Sequence, residues 1–385
     1  MPMISDTAAL EAFCQKLSSA EYITVDTEFM REKTYWPQLC LVQIANADDA
    51  KAVDAMAPGI DLAPLYELFD DQKILKVFHA ARQDLEIFYH LSGRLPEPVF
   101  DTQVAAMVCG FGDSAGYETL VTKLTQGQVD KGSRFTDWAA RPLSDRQISY
   151  ALADVTHLRD VYESLRKTLG HNGREKWLAE EMATLTDPKT YDADPYETYK
   201  RIKSGNARPK TLAVLRELAA WREEEARRRD LPRNRVIRDE QILEIAHHPP
   251  EKPADLARIR GLGNKFAEGS AGQAIIAAAK RGLDVPEHER PRPRSRPKGH
   301  SGIGPASQLL KVLLKMRCDE HEVAQKLLAS SEDIEILAAY ADKADVPALK
   351  GWRFKVFGED ALRLLRGDIA LAVKNSQTII VEHTT

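Results

Sequence analysis

Cysteine is scarce in this 385-residue chain: Cys14, Cys40, Cys109 and Cys318 are scattered, with no CxxC pair. That excludes a disulfide-stapled framework and a cysteine zinc site, and it fits a reducing compartment. No apolar run approaches the ~20 residues of a membrane-spanning helix. The opening stretch MPMISDTAALEAF lacks the basic start and apolar core of a secretory signal. A cytoplasmic protein without membrane contact is the expectation. Aromatic residues make up only 7% of the chain, whereas charged residues make up 29%.

The net charge of −4 conceals an uneven distribution. Residues 1–165 carry 25 acidic and 14 basic side chains, residues 166–300 carry 21 and 29, and the remainder nearly balances. An acidic front joined to a basic middle points to cation-binding chemistry first and polyanion binding second. The length allows two to four domains, each with its own core.

Over residues 1–170 strand and helix patterns alternate, which predicts an α/β domain with helices packed on a mixed sheet. YITVDTEF and QLCLVQIAN read as neighbouring strands, with a third near DDAKAVDAM. APLYELFDD reads as a helix. KILKVFHA reads as a strand running into a second helix that stops at Gly93. Asp101 is the expected N-cap of the next helix, and Ser144 or Asp145 that of a long amphipathic one. Residues 171–204 form a helical connector, and 205–285 are wholly helical. Residues 286–303, rich in Pro and Arg, read as an extended linker. Residues 304–375 return to helix and loosely echo 205–285, as a diverged internal duplicate would. The chain after Lys374 is expected to trail off without structure.

The stretch EYITVDTEF places Asp26 and Glu28 two residues apart at a strand end, hence on one face. Two carboxylates so close repel and, near a core, lose hydration. Either water reaches the strand end or a cation sits between them. With 58 acidic residues in the chain, such a pair alone decides little. Two more acids stand in telling places. Asp84 lies just inside the helix after an apolar strand, and Asp154 lies one turn after Tyr150 on the long helix.

Taken together, Asp26-Thr27-Glu28, His79-Ala-Ala-Arg-Gln-Asp84 and Tyr150-Ala-Leu-Ala-Asp154 resemble the three motifs of the DEDD exonuclease superfamily, in its tyrosine subgroup. The strand YWPQLCLVQIA and the Arg-rich helical module resemble more specifically the ribonuclease D family. WREEEARRRDLPRNRVIRDEQILEIA and IRGLGNKF resemble its HRDC domain. The resemblance implies a ribonuclease H-like mixed sheet flanked by helices, followed by two all-α HRDC-type domains. It implies 3′→5′ hydrolysis of RNA, in 3′-end maturation of tRNA precursors, releasing nucleoside 5′-monophosphates. It further implies two divalent ions, Mg²⁺ or Mn²⁺, held by Asp26, Glu28, Asp84 and Asp154, whose hard oxygens suit such ions. Two ions clamp the attacking and leaving oxygens of an in-line displacement. Tyr150 would orient or help deprotonate the attacking water, Thr27 and Phe29 would line the pocket for the terminal nucleotide, and His79 would either touch substrate or hold the strand-to-helix turn.

The basic middle fits a grip on RNA. Arg227, Arg228, Arg229, Arg233, Arg235, Arg238 and Lys265 are candidates for phosphate contacts, and Gly261 and Gly263 for close backbone approach. The linker arginines at 290–296 would add non-specific attraction. No obligate protein partner is evident. A 3′→5′ DNA exonuclease of proofreading type shares the catalytic motifs, and the absence of polymerase sequence weighs against it. A non-catalytic RNA-binding protein would be expected to lack one of the acids, and all four are present.

Overall fold

The structure, a computed structural model, describes residues 3–125, 127, 128, 132, 136–292 and 303–383. Its first part is built on a six-stranded sheet of β1 (Met3–Ile4), β2 (Tyr22–Met30), β3 (Gln38–Ala45), β4 (Ala50–Asp54), β5 (Leu75–Phe78) and β6 (Val99–Asp101). The strand order is β1-β4-β3-β2-β5-β6. The pairs β2/β3 and β3/β4 are antiparallel, while β2/β5 and β5/β6 are parallel. The sheet is therefore mixed, as the strand and helix patterns predict. Helices α1 (Thr7–Leu17), α2 (Ala63–Asp70), α3 (Arg82–Ser92), α4 (Thr102–Val108), α5 (Tyr117–Thr125) and α6 (Asp145–Asn172) flank it.

Local chemistry sets the element ends. Ser144 begins α6 with a capping box to Gln147, satisfying two backbone donors reciprocally. Gly93 ends α3 in the left-handed conformation, φ 73°. On β2, Ile23 and Val25 are fully buried in the main core, while the alternate face carries Thr24, Asp26 and Glu28. The Thr24 hydroxyl donates to the Val155 carbonyl at 2.8 Å, which fixes α6 across that face.

Helix α7 (Glu175–Leu185) and two 3₁₀ turns, Pro188–Thr190 and Pro195–Arg201, form the connector. The basic unit then comprises α8 (Pro209–Arg229), α9 (Arg233–Val236), α10 (Asp239–His247), α11 (Pro253–Leu256), α12 (Asn264–Glu268) and α13 (Ser270–Asp284) around its own core. Of the linker expected at 286–303, residues 293–302 lie outside the described residues.

The last unit contains α14 (Ile303–Glu320), α15 (Gln325–Leu328), α16 (Ser331–Tyr340), α17 (Gly351–Arg353) and α18 (Glu359–Arg366), with a π turn at Phe354–Gly358. It shares one apolar core with the sheet domain rather than standing apart. The Ala324 N–H donates to the Met107 carbonyl at 2.9 Å. Gly110, φ 85°, lets Glu322 approach so closely that a Cβ would lie 2.8 Å from its carbonyl oxygen. Arg174 donates to the carbonyls of Val108, His321 and Glu322 and lies over the Trp177 ring, which stacks on Trp352 at 4.3 Å.

The expectation of an unstructured end after Lys374 is corrected. Strands β7 (Ile369–Lys374) and β8 (Gln377–Glu382) pair antiparallel across a two-residue turn. Asn375 and Ser376 both take positive φ, 51° and 62°, the geometry of a tight primed turn. IALAV and TIIV supply the β-branched strand pattern that the polar composition of this segment masks.

Candidate active site

The three sequence motifs meet at the carboxyl ends of the adjacent parallel strands β2 and β5, where open α/β sheets place ligands. Asp26 and Glu28 face α6, and Asp154 on α6 faces them in return. Ligand oxygens of these three carboxylates all lie within 4.8 Å of one another. Asp154 is buried, whereas Asp26 and Glu28 are half-buried. A bulge follows Glu28 in the β2/β3 ladder, so Glu28 sits where the strand bends.

Asp84 is not among those three, yet it is next to them. It lies buried in the first turn of α3, and the Thr27 hydroxyl donates to its carboxylate. Burial, and then the Asp26 charge, hold Asp84 well above the ordinary carboxylate range. Burial likewise pushes Asp26 up to about 6, against a stabilising N–H from Thr27. Burial and mutual repulsion thus raise carboxyls gathered in one cleft, a pattern that concentrates at functional sites.

Tyr150 is half-buried, hydrogen-bonded to the Asp154 carboxylate, and close to Glu28 and Asp26. Burial and then these acids push its phenol pKa upward. Trp138 backs it, ring centroids 6.1 Å apart. Arg141 pins that tryptophan: it donates to Asp54 through Nε and Nη2, to the Cys40 carbonyl, and to the Trp138 carbonyl at 2.8 Å.

Thr27 thus orients Asp84, and Phe29 is half-buried against the main core. His79 Nδ1 lies 3.0 Å from the Thr102 hydroxyl, which itself donates to the Phe78 carbonyl. With its proton used, Thr102 accepts, so Nδ1 carries the imidazole hydrogen. Burial pushes His79 down to about 4, leaving it neutral at pH 7.

Two residues that sequence reasoning did not assign to the site support it. Asp101, expected only as an N-cap, accepts from the N–H groups of Ala80, Ala81, Gln103 and Val104. It thereby holds the β5-to-α3 turn, including Ala80 at φ 56°, on which Asp84 depends. Tyr117 packs on His79 at 5.3 Å and donates its hydroxyl to the Asp154 carbonyl. The Asp101 N-cap position was a readable signal; nothing local marks Tyr117.

The basic candidates divide. Arg235, Arg238 and Lys265 are exposed, and Arg228 and Arg229 are exposed beside Glu225. Arg227 and Arg233 instead turn inward to the seam with the sheet domain. Buried Glu223 receives two hydrogen bonds from Arg233 and one from the Tyr35 hydroxyl. Arg227 donates to Tyr35 at 3.2 Å. Asp230 accepts from the N–H groups of Tyr35 and Trp36, both at 3.0 Å, and Trp36 stacks on His90 at 3.8 Å. Gly261 adopts φ 85° at the turn before α12, and Gly263 caps that helix.

A sheet-end acid cluster joined to a basic helical unit defines a nuclease class, and family comparison agrees. Residues 1–170 match the 3′-5′ exonuclease family model, and residues 211–278 match the HRDC domain. Ribonuclease D of Granulibacter bethesdensis is 50% identical over 380 residues, covering 98% of this chain and 96% of its own length. Ribonuclease D of Nitrobacter hamburgensis is 48% identical over 384 residues, covering 100% of each. The crystal structure of Escherichia coli RNase D, an exoribonuclease involved in structured RNA processing, matches with TM-score 0.83 at 30% identity. That match spans 95% of this chain and 98% of the other. The chain belongs to the ribonuclease D family. It is a 3′→5′ exoribonuclease.

Proposed function

We propose that the enzyme removes nucleotides one at a time from free 3′ ends of structured RNA, tRNA precursors foremost, and releases nucleoside 5′-monophosphates in the cytoplasm. The observation that carries the chemistry is the convergence of Asp26, Glu28 and Asp154 within 4.8 Å, with Asp84 alongside. Oxygen donors alone, of like charge and partly withdrawn from water, fit hard divalent ions, Mg²⁺ or Mn²⁺, and not a soft metal. Asp26, Glu28, Asp84 and Asp154 would hold two of them. When bound, such ions polarise the phosphoryl oxygens and stabilise charge on the leaving oxygen.

The remaining tasks fall to the chain's own groups. Asp154 accepts from Tyr150, which orients that phenol toward the cleft where the attacking water stands. Thr27 holds Asp84 in one rotamer. Phe29, at the strand end beside the acids, offers an aromatic face to the terminal base. His79 acts on the turn beneath rather than on substrate. In the helical units, exposed Arg228, Arg229, Arg235, Arg238 and Lys265 contact RNA phosphates. The last unit, 303–382, is a diverged HRDC-like module whose role is to buttress the catalytic domain.

The test is a digestion time course with a 5′-labelled, 3′-extended tRNA and a matched single-stranded DNA, each with Mg²⁺ and with chelator. Stepwise, metal-dependent shortening of the RNA, abolished by Asp26→Ala, is expected. Preferential loss of DNA, or shortening in chelator, overturns the reading.

A further inference from the structure

A cavity of about 370 Å³ opens at the seam between the sheet domain and the first helical unit. Four arginines from separate segments converge on it: Arg31 just after β2, Arg201 at the end of a 3₁₀ turn, Arg222 on α8 and Arg233 on α9. Gathering like charges costs energy unless counter-ions compensate. Three have carboxylate partners. Arg31 pairs with Glu86 through both terminal nitrogens at 2.8 Å, Arg222 pairs with Asp239 at 2.6 Å, and Arg233 pairs with Glu223. Among the described residues Arg201 has no ion pair.

The partners do not exhaust the donors. A guanidinium carries five N–H groups. Arg222 spends only Nη1, on Asp239 and the Ile237 carbonyl, and Arg233 spends Nε and Nη2. Arg222 is itself only 5% exposed while lining the cavity, so its remaining donors are held in place by packing rather than swept by solvent. Fixed, planar donors around a space of this size match the oxygens of a phosphate.

Position links the cavity to the acids. Arg31 follows Glu28 by three residues, and its partner Glu86 follows Asp84 by two. The chain leaving β2 and helix α3, which carry Asp26, Glu28 and Asp84, thus also supply the Arg31–Glu86 pair beside the cavity. We infer that this arginine-lined cavity is a subsite for a backbone phosphate upstream of the scissile one in the bound RNA. Rather than pulling the chain to the surface at large, the seam holds one phosphate in register, so that the 3′ end reaches the acids. The inference rests on those acids being the RNA-cleaving site.

Arg201→Gln removes the exposed, unpaired member without disturbing the seam. The probe is a 5′-labelled single-stranded 12-nucleotide RNA, titrated in chelator over a range of salt. Arg258→Gln, on the basic helical unit, outside the cavity and with a side chain 82% exposed, is the control. Loss of one phosphate contact predicts a three- to tenfold weaker Kd at low salt. The log–log salt slope should become shallower by about 0.7. In Mg²⁺, KM for the 12-mer should rise with kcat unchanged, while a dinucleotide, whose only phosphodiester is the scissile one, should be cut at the wild-type rate. The subsite is refuted if Arg201→Gln binds as wild type does, if Arg258→Gln weakens binding as much, if the dinucleotide suffers equally, or if the wild type does not bind the 12-mer. A shallower slope in Arg201→Gln alongside a wild type that shortens no RNA would show that the cavity holds a phosphate but would refute the catalytic reading, and with it the place of that phosphate upstream of a scissile one.

Discussion

Asp26, Glu28 and Asp154 are held where carboxylates repel one another and lose hydration, so without bound cations they oppose folding. Asp154→Asn keeps the shape and an acceptor for Tyr150 while deleting one charge. The metal-free variant should melt at the same or a higher temperature than the wild type in a thermal scan. Its rate of RNA shortening with Mg²⁺ should fall by about a hundredfold or more. A drop in melting temperature would show that the charge is stabilising and would contradict this account. Glu223 is the opposite case. Burial alone would raise its carboxyl, but the hydrogen bonds from Arg233 and Tyr35 outweigh that and hold it below the usual range. A depressed carboxyl stabilises the fold above its unfolded pKa, and that stability disappears as pH falls through the folded value. Glu223→Gln should therefore cost about 1.5–3 kcal/mol at pH 7. Denaturant titrations should show the gap from wild type narrowing once the pH drops below 4.5. A gap independent of pH would mean that packing, not charge, is what Glu223 contributes.

At the scale of elements, the turn between β5 and α3 matters most, because Asp84 is held by that helix start and by Thr27. Asp101 accepts the N–H groups of Ala80 and Ala81 in the turn and those of Gln103 and Val104 at the start of α4, and balances the strain of Ala80 at positive φ. Asp101→Ala should cost about 2 kcal/mol or more in a denaturant titration and should reduce kcat more than it raises KM, because Asp84 moves rather than the RNA-binding surface. An effect on KM alone would place Asp101 outside the catalytic apparatus. The i,i+2 face of Asp26 and Glu28 and the i,i+4 face of Tyr150 and Asp154 are legible in the sequence, since each is a periodicity of one element. The caps at Ser144 and Asp101 and the stop at Gly93 are legible for the same reason. The β7/β8 hairpin is not: alternation in IALAVKNSQTIIVE is short, and its Asn-Ser turn is not among the strongest hairpin signals.

Across the whole molecule, the last helical unit is fused to the catalytic domain by a common core, and Arg174 is the polar joint. It serves carbonyls from both sides of the interface and lies on the Trp177–Trp352 stack. Removing it leaves those carbonyls without their donor in a part-buried interface. Arg174→Ala should destabilise the protein by about 2 kcal/mol or more and should raise hydrogen exchange in α14 and α15 together with α4. Exchange raised in α14 and α15 alone would mean that the two units open independently. Tyr35 and Trp36 play the matching part for the first helical unit, bonding to Asp230 and Glu223 from far away along the chain.

The sequence by itself determined the order of the three acidic motifs and the element each occupies, because spacing and capping are local properties. Tertiary structure alone decided which arginines face open solvent and which face the seam between the sheet domain and the first helical unit. Arg227 and Arg233 look like their exposed neighbours along the chain, yet they turn inward because Tyr35 and Glu223 meet them across a seam between distant segments. It also decided that the last helical unit packs into the core of the catalytic domain. Its apolar faces say only that something must cover them, and which surface does so depends on contacts between segments far apart in the chain.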